Sequence, residues 1–266
     1  MNKPLAVAIV ATIIIYMKTL YWMLGSWIMN PYYSHGFLVL AVSLYLIRKN
    51  VRGLNTNNDP MGLVIFSIAL LIHVFASIFD YDFISAVSFP FAIFGLIFTF
   101  YGANVKNLAF PILFLLFAVP YPIYSVSNIL EVISAKASAG LVGLLGIKAQ
   151  TTGAEIHLSR CSFVIGAPCS GIRSIIALLT VSALYCYLIN DRIFVKCLLI
   201  LAAVPLAIMA NILRITIILL SAEFFGRDFA LGIVHYASDL ILFVIAVLCL
   251  VGLRRCLNWT LRDTSW

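Results

Sequence analysis

A chain of 266 residues with 64% hydrophobic and only 10% charged side chains, and a mean hydropathy of +1.11, has too little polar surface to dress a water-soluble fold. Composition therefore excludes a soluble globular domain and predicts an all-α polytopic membrane protein. The net charge of +7 comes from basic residues scattered at the ends of apolar runs, which excludes a continuous nucleic-acid-binding patch.

A helix needs roughly 17–25 apolar residues to cross a hydrocarbon core about 30 Å thick. Runs of that kind lie at 5–24, 33–49, 61–79, 84–102 and 108–126, and again at 171–189, 194–221 and 239–253, predicting eight spans. The first reaches full crossing length without an A-x-A-like cleavage site and is predicted to be an uncleaved helix. The insert at 127–168 breaks the pattern. Its first half, "SNILEVISAKASAGLVGLLG", is moderately apolar and predicts an interfacial or re-entrant helix, in which Ala137, Gly140 and Gly143 would allow close helix approach. Its second half, "IKAQTTGAEIHLSRCSFVIG", alternates polar and apolar residues around Gly153 and predicts a small β-hairpin. With no internal repeat and no polar linker, one integral membrane domain over 1–266 is expected.

Lys3, Arg48, Lys49, Arg52, Lys106, Arg192, Lys196, Arg254, Arg255 and Arg262 fall on one side of these spans, whereas Asp80, Asp82, Glu131, Glu155, Glu223, Asp228 and Asp239 fall on the other. The positive-inside rule makes the basic side cytoplasmic, with both termini inside and the insert outside.

Three polar residues then converge on the outer layer. Cys169, after Pro168 in "GAPCSGIRSI", is predicted to occupy the first turn of the sixth span, where free N–H groups favour thiolate, and Arg173 four residues on adds a cation to the same face. Arg214 is embedded in "IMANILRITIILLSAE" about 27 Å above Lys196, with Asn211 one turn below it, and a mid-span arginine demands a partner or a polar interior. His235, in "FALGIVHYASDL", precedes the eighth span. A thiol, a guanidinium and an imidazole in one layer suit acyl transfer, with Cys169 as nucleophile, His235 as proton carrier and Arg214 stabilising the oxyanion or thiolate.

The other cysteines read differently. Cys186, Cys197, Cys249 and Cys256 are small apolar residues of the spans or their inner ends, while Cys161 is outward and chemically able to pair with Cys169. There is no C-x-x-C and no Cys/His spacing suited to a metal, so neither metal nor cofactor is expected.

The pieces "YSHGFLVL" (33–40), "PCSGIRSI" (168–175), "PLAIMANILRI" (205–215) and "VHYASD" (234–239) together resemble the exosortase/archaeosortase membrane transpeptidases, in that family's order and over most of the chain. The resemblance implies that Cys169, Arg214 and His235 are the catalytic Cys, Arg and His. It implies exported protein substrates ending in a short motif such as Pro-Glu-Pro, one hydrophobic helix and a basic tail, cleaved at the extracytoplasmic face of the inner membrane and passed to a surface acceptor, a lipid or glycan. His35 belongs to a family-like motif and is a candidate for substrate binding, as are Ser170, Arg173 and Asn211. Asp239 stands where many relatives carry glycine and offers a carboxylate to orient His235.

Rival readings use the same residues otherwise. A transporter or lipid-handling protein would bind anions at Arg214, a quinone-linked thiol oxidoreductase would cycle Cys161 with Cys169, and a rhomboid-like protease would use Ser170, though no G-x-S-x-G is present. In the sortase-like reading membrane lipids enclose the substrate helix, and the depth of that helix sets the cut.

Overall fold

The computed structural model describes residues 3–51, 57–159, 161–166 and 169–263, with the side chains of 124, 125 and 260–263 left aside. Arg52, Pro168 and the side chain of Arg262, used above, lie outside the described residues. Contacts group the chain into two compact units, Met1–Pro122 and Ile123–Trp266.

In the first unit, α1 (Lys3–Ile15) and α2 (Met17–Met29) are bent by 67° at Tyr16, inside what hydropathy predicts as one crossing. A buried polar cluster holds the bend. The Tyr16 hydroxyl reaches the Ala69 carbonyl at 3.2 Å and the Ser88 hydroxyl at 2.9 Å, and the Tyr16 ring stacks on His73 with centroids 3.9 Å apart. His73 in turn bonds Ser85 at 2.7 Å through Nδ1 and donates to the backbone carbonyl of Ile15, which the broken helix no longer uses.

Next, α3 (Gly36–Asn50) follows the turn containing "YYSHG". Pro120 and Pro122 have no N–H to offer the carbonyls of Leu116 and Ala118, four residues earlier. The Tyr121 hydroxyl donates to Leu116 at 2.7 Å and the Trp27 indole to Ala118 at 2.7 Å instead. His35 donates from Nε2 to the Phe117 carbonyl at 3.0 Å, and the Tyr33 hydroxyl to the Tyr121 carbonyl at 2.6 Å. The "YSHGF" turn thus fastens the start of α3 to the end of an antiparallel segment.

Close contact between α4 (Pro60–Ile78) and α5 (Asp82–Tyr101) depends on two glycines. A Cβ on Gly62 would run into the backbone of Thr99, and one on Gly95 would come within 2.5 Å of the Phe66 nitrogen. At Gly102, where φ is +54°, the chain turns through a short 3₁₀ segment into α6 (Lys106–Leu113). The rings of Phe83 and Tyr121 lie 5.6 Å apart, so 82–118 folds back on itself and is not one straight rod.

The second unit begins with α7 (Tyr124–Leu144) and continues through β1 (Ala149–Thr152), β2 (Glu155–Leu158) and β3 (Ser162–Val164), an antiparallel sheet in the order β1-β2-β3. Gly153, at φ +64°, makes the turn between β1 and β2. The predicted hairpin gains a third strand because Phe163 pairs with Ile156 and both are buried. After the sheet come α8 (Ile172–Leu188), α9 (Ile193–Phe225), the single turn α10 (Arg227–Phe229) and α11 (His235–Asp263). Ile156, Leu158 and Phe163 of the sheet pack with Ala135, Ala139 and Val142 of α7 and with Ile215, Leu219 and Ala222 of α9. A hydrogen bond of 3.1 Å from Ser138 to the Ile212 carbonyl ties α7 to α9 directly. The small residues used in this contact are therefore not Gly140 and Gly143, which face open space.

Among the described residues, four stretches are long and apolar enough to cross a membrane, Pro60–Ile78, Asp82–Ala118, Ile193–Phe225 and Arg227–Trp259, with a fifth if the bent α1–α2 pair is counted as one. The predicted spans at 33–49 and 171–189 form helices of 15 and 17 residues, and the one at 108–126 a helix of 8 followed by a 3₁₀ segment of 5. The helices of 15 and 8 residues fall short of the roughly 17 that a crossing takes at the least, and the one of 17 stands at that limit. The protein is a mainly helical, polytopic membrane protein, with four or five candidate spans among the described residues where hydropathy suggests eight.

Candidate functional site

Cys169 does not lie in the first turn of α8, as the sequence predicts, but in a tight turn ahead of it. Its N–H donates to the Gly166 carbonyl at 2.8 Å, and Gly171, the residue before α8, adopts φ +88°. Glycine is required at 171 for conformation and for space, since a Cβ there would come within 2.9 Å of the Asn211 side chain on α9. Asn211 uses that approach: its amide donates to the Cys169 carbonyl at 2.9 Å and to the Ser134 hydroxyl of α7 at 3.2 Å. The cysteine-bearing turn is thus pinned from two helices through one buried asparagine.

One turn further along α9, Arg214 is 7% exposed, too buried for a snorkelling side chain. One terminal nitrogen donates to Nε2 of His235 at 3.0 Å and the other meets Asp239 at 3.1 Å. His235 and Asp239 are four residues apart on α11 and share a face, so a single guanidinium fork spans one helical turn. What sets the register is a π-helical segment, Ala230–Val234, kinked at Gly232 (ψ −109°) immediately before His235. Such a widened turn inserts residues into the helical ladder and re-aims the side chains that follow.

The sulfur of Cys169 lies 3.8 Å from the same Nε2 of His235. Arginine has only donors, so Nε2 is the acceptor and the ring proton sits on Nδ1. One lone pair therefore faces two candidate donors, the guanidinium and the thiol. Burial pushes the Cys169 thiol above its ordinary range, while Arg214 pulls it down and Asp239 pushes it further up. The helix-terminus stabilisation predicted for a thiolate is not realised, because the residue precedes the helix and desolvation dominates. Burial thus favours the thiol over the thiolate.

The other predicted residues divide. Asn211 and Asp239 join the cluster, each through a hydrogen bond or ion pair already described. Ser170 is buried at 1% exposure beside the thiol, its hydroxyl accepting a long 3.4 Å bond from the Ile172 N–H. Arg173 is exposed, and no contact with Cys169 is present among the described residues. His35 belongs to the first unit and is bonded to Phe117 there. Ser134 was not anticipated; the spacing of Ser134 and Ser138, one turn apart and both buried, is the signal that marks this face of α7.

The class of protein that fold and site define is a multi-pass helical membrane protein that gathers a thiol, an imidazole and a guanidinium at one point. A family model described as transmembrane exosortase matches residues 27–252, most of the chain, and the protein belongs to that family. Membership supports sortase-like transpeptidation at the level of the family, with exported proteins bearing sorting signals as the kind of substrate implied. No curated protein and no solved structure matches the chain.

Proposed function

We propose that the protein is a cysteine transpeptidase that cuts exported proteins near a C-terminal sorting signal and joins them to a surface acceptor. The observation that carries this reading is the geometry at Nε2 of His235, with the Cys169 sulfur at 3.8 Å and the Arg214 guanidinium at 3.0 Å. Such a pair supplies a nucleophile with a proton acceptor in reach and a fixed cation beside both.

The chemistry follows from those positions. As Cys169 Sγ bonds to the scissile carbonyl carbon, its proton passes to His235 Nε2, and the Arg214 N–H that occupied Nε2 turns to the developing oxyanion. Collapse breaks the C–N bond, and His235 returns the proton to the departing amine. The thioester left on Cys169 is then attacked by the acceptor, a lipid or glycan nucleophile, whose proton leaves through His235 as the thiol is restored. Asp239 holds the far side of the Arg214 fork, and Asn211 holds the turn that aims the sulfur.

The basic helix ends favour placing both termini in the cytoplasm and the reaction at the extracytoplasmic face of the inner membrane. A substrate helix lying in the same bilayer would then present its cut site at a depth set by its own length, with its basic tail inside. An anion transporter is a poorer fit, because Arg214, the cation it would need, is already paired with Asp239. Substituting Cys169 by Ala and, separately, by Ser tests the reading against a substrate carrying such a signal. Processing is expected to vanish in both at normal protein level; survival of the Ala variant would show that the thiol is dispensable.

A further inference from the structure

At the end of the second unit remote from Cys169, the α8–α9 connection and the last turns of α11 enclose a cavity of about 610 Å³ that the proposed reaction does not use. One wall is a fixed ion pair: Arg254 donates to Asp191 at 2.6 and 3.4 Å and lies over the Tyr185 ring, 5.7 Å from its centroid. That pair neutralises itself. Arg192 and Arg255, on the other walls, have no carboxylate partner among the described residues, and Asn190 adds an amide. The cavity is therefore a net cationic recess with two unengaged guanidinium forks, the geometry that matches phosphate oxygens.

Its depth fits a membrane surface. From His235 to Arg254 along the continuous helix α11 is about 28 Å at 1.5 Å per residue, close to the thickness of a hydrocarbon core. A cluster at one leaflet's headgroup level puts the other end of α11 at the opposite headgroup level. The surroundings agree, since the Trp259 indole lines the cavity at 72% exposure and Leu188, Ile193 and Phe194 expose apolar side chains at the same end, a path for acyl chains.

We propose that this cavity seats the phosphate headgroup of an anionic phospholipid, held by Arg192 and Arg255, with its acyl chains along Leu188, Ile193 and Phe194. The lipid would brace α8, α9 and α11 together at the end opposite the thiol. The inference rests on the membrane-spanning fold and not on the transpeptidase reading, so either can fail alone.

The test is native mass spectrometry of the purified full chain, titrated in detergent with phosphatidylglycerol or phosphatidylcholine. Phosphatidylglycerol is expected to bind the wild type preferentially. At about one anion-attraction increment per arginine, R192Q and R255Q should each weaken it about fivefold and the double variant about thirtyfold. K148Q, an exposed lysine outside the cavity, serves as control and should change nothing, and circular dichroism on each variant reports folding. Glycerol 3-phosphate should fail to displace the lipid. Equal binding of the two lipids, undiminished binding in the double variant, or displacement by glycerol 3-phosphate at matched concentration would each overturn the proposal, the last by assigning the site to a soluble phosphate.

Discussion

Two histidines, His73 buried in the first unit and His235 half-buried in the second, sit in polar clusters that look alike in outline and differ in how completely they are satisfied. His73 has both ring nitrogens engaged, one by Ser85 at 2.7 Å and the other by the Ile15 carbonyl, with Tyr16 stacked on its face. Every partner there is a neutral group fixed on a neighbouring helix. His235 shares one nitrogen between a guanidinium and a thiol, and around it the Arg214 Nε and the Asn211 Oδ1 are buried without a hydrogen-bond partner. Native structures rarely leave such atoms unmatched, and those they leave mark strain, water or a ligand's place. A closed network holds a bend in place; an open one keeps a donor and an acceptor unmatched.

That contrast can be broken by substitution. Arg214→Gln removes the donor assigned to the oxyanion, and turnover is expected to fall on the order of 10²–10³-fold, the size seen when one such donor is lost. Cleavage assays on purified variants would measure it; a fall of only a few-fold would make Arg214 a structural cation like any other buried one. Ser85→Ala, in the closed network, should act on stability instead. Leaving His73 Nδ1 without its partner is expected to cost about 1–3 kcal/mol, read as a lower thermal midpoint, with turnover per folded molecule unchanged.

The smallest effect concerns acidity. Because burial raises the Cys169 thiol, its folded value lies above the ordinary one, so the protonated form persists through neutral pH and is lost only as pH climbs past the usual thiol range of about 8.5. Alkylation of Cys169 by iodoacetamide, followed by peptide mapping, should be slow at pH 7 and rise above pH 9. Asp239→Asn removes a negative charge that pushes the thiol up and should move the profile toward lower pH. A shift in the opposite direction would mean that Asp239 acts mainly by holding Arg214 in place.

The open cluster was more legible in the sequence than the scaffold that carries it. A charge within an apolar span is costly enough to announce itself, which is why Arg214 stood out, and connectivity of the last three helices was enough to bring Cys169 and His235 to the same layer. The bend at Tyr16 and the fold-back at Gly102 left no trace in hydropathy, because a window averages apolarity and is blind to a break made of apolar residues. The turn at Cys169 was misread as helix for a related reason: Gly171 was visible, but its positive φ and the closeness of Asn211 are properties of packing across 40 residues of chain. Likewise the fork from Arg214 to both His235 and Asp239 depends on the π-helical turn before His235, whose cue, an isolated Gly232, resembles any other glycine near a helix start.

The most direct measurement is the covalent intermediate itself. Purified protein would be mixed with a substrate carrying a sorting signal, quenched in acid to preserve thioesters, and digested for mass spectrometry. The expected result is the substrate's new C-terminus attached to the peptide containing Cys169, released by hydroxylamine and missing from the Cys169→Ser variant. Processing that proceeds with no adduct on that peptide, or with the adduct on a different side chain, would contradict the account.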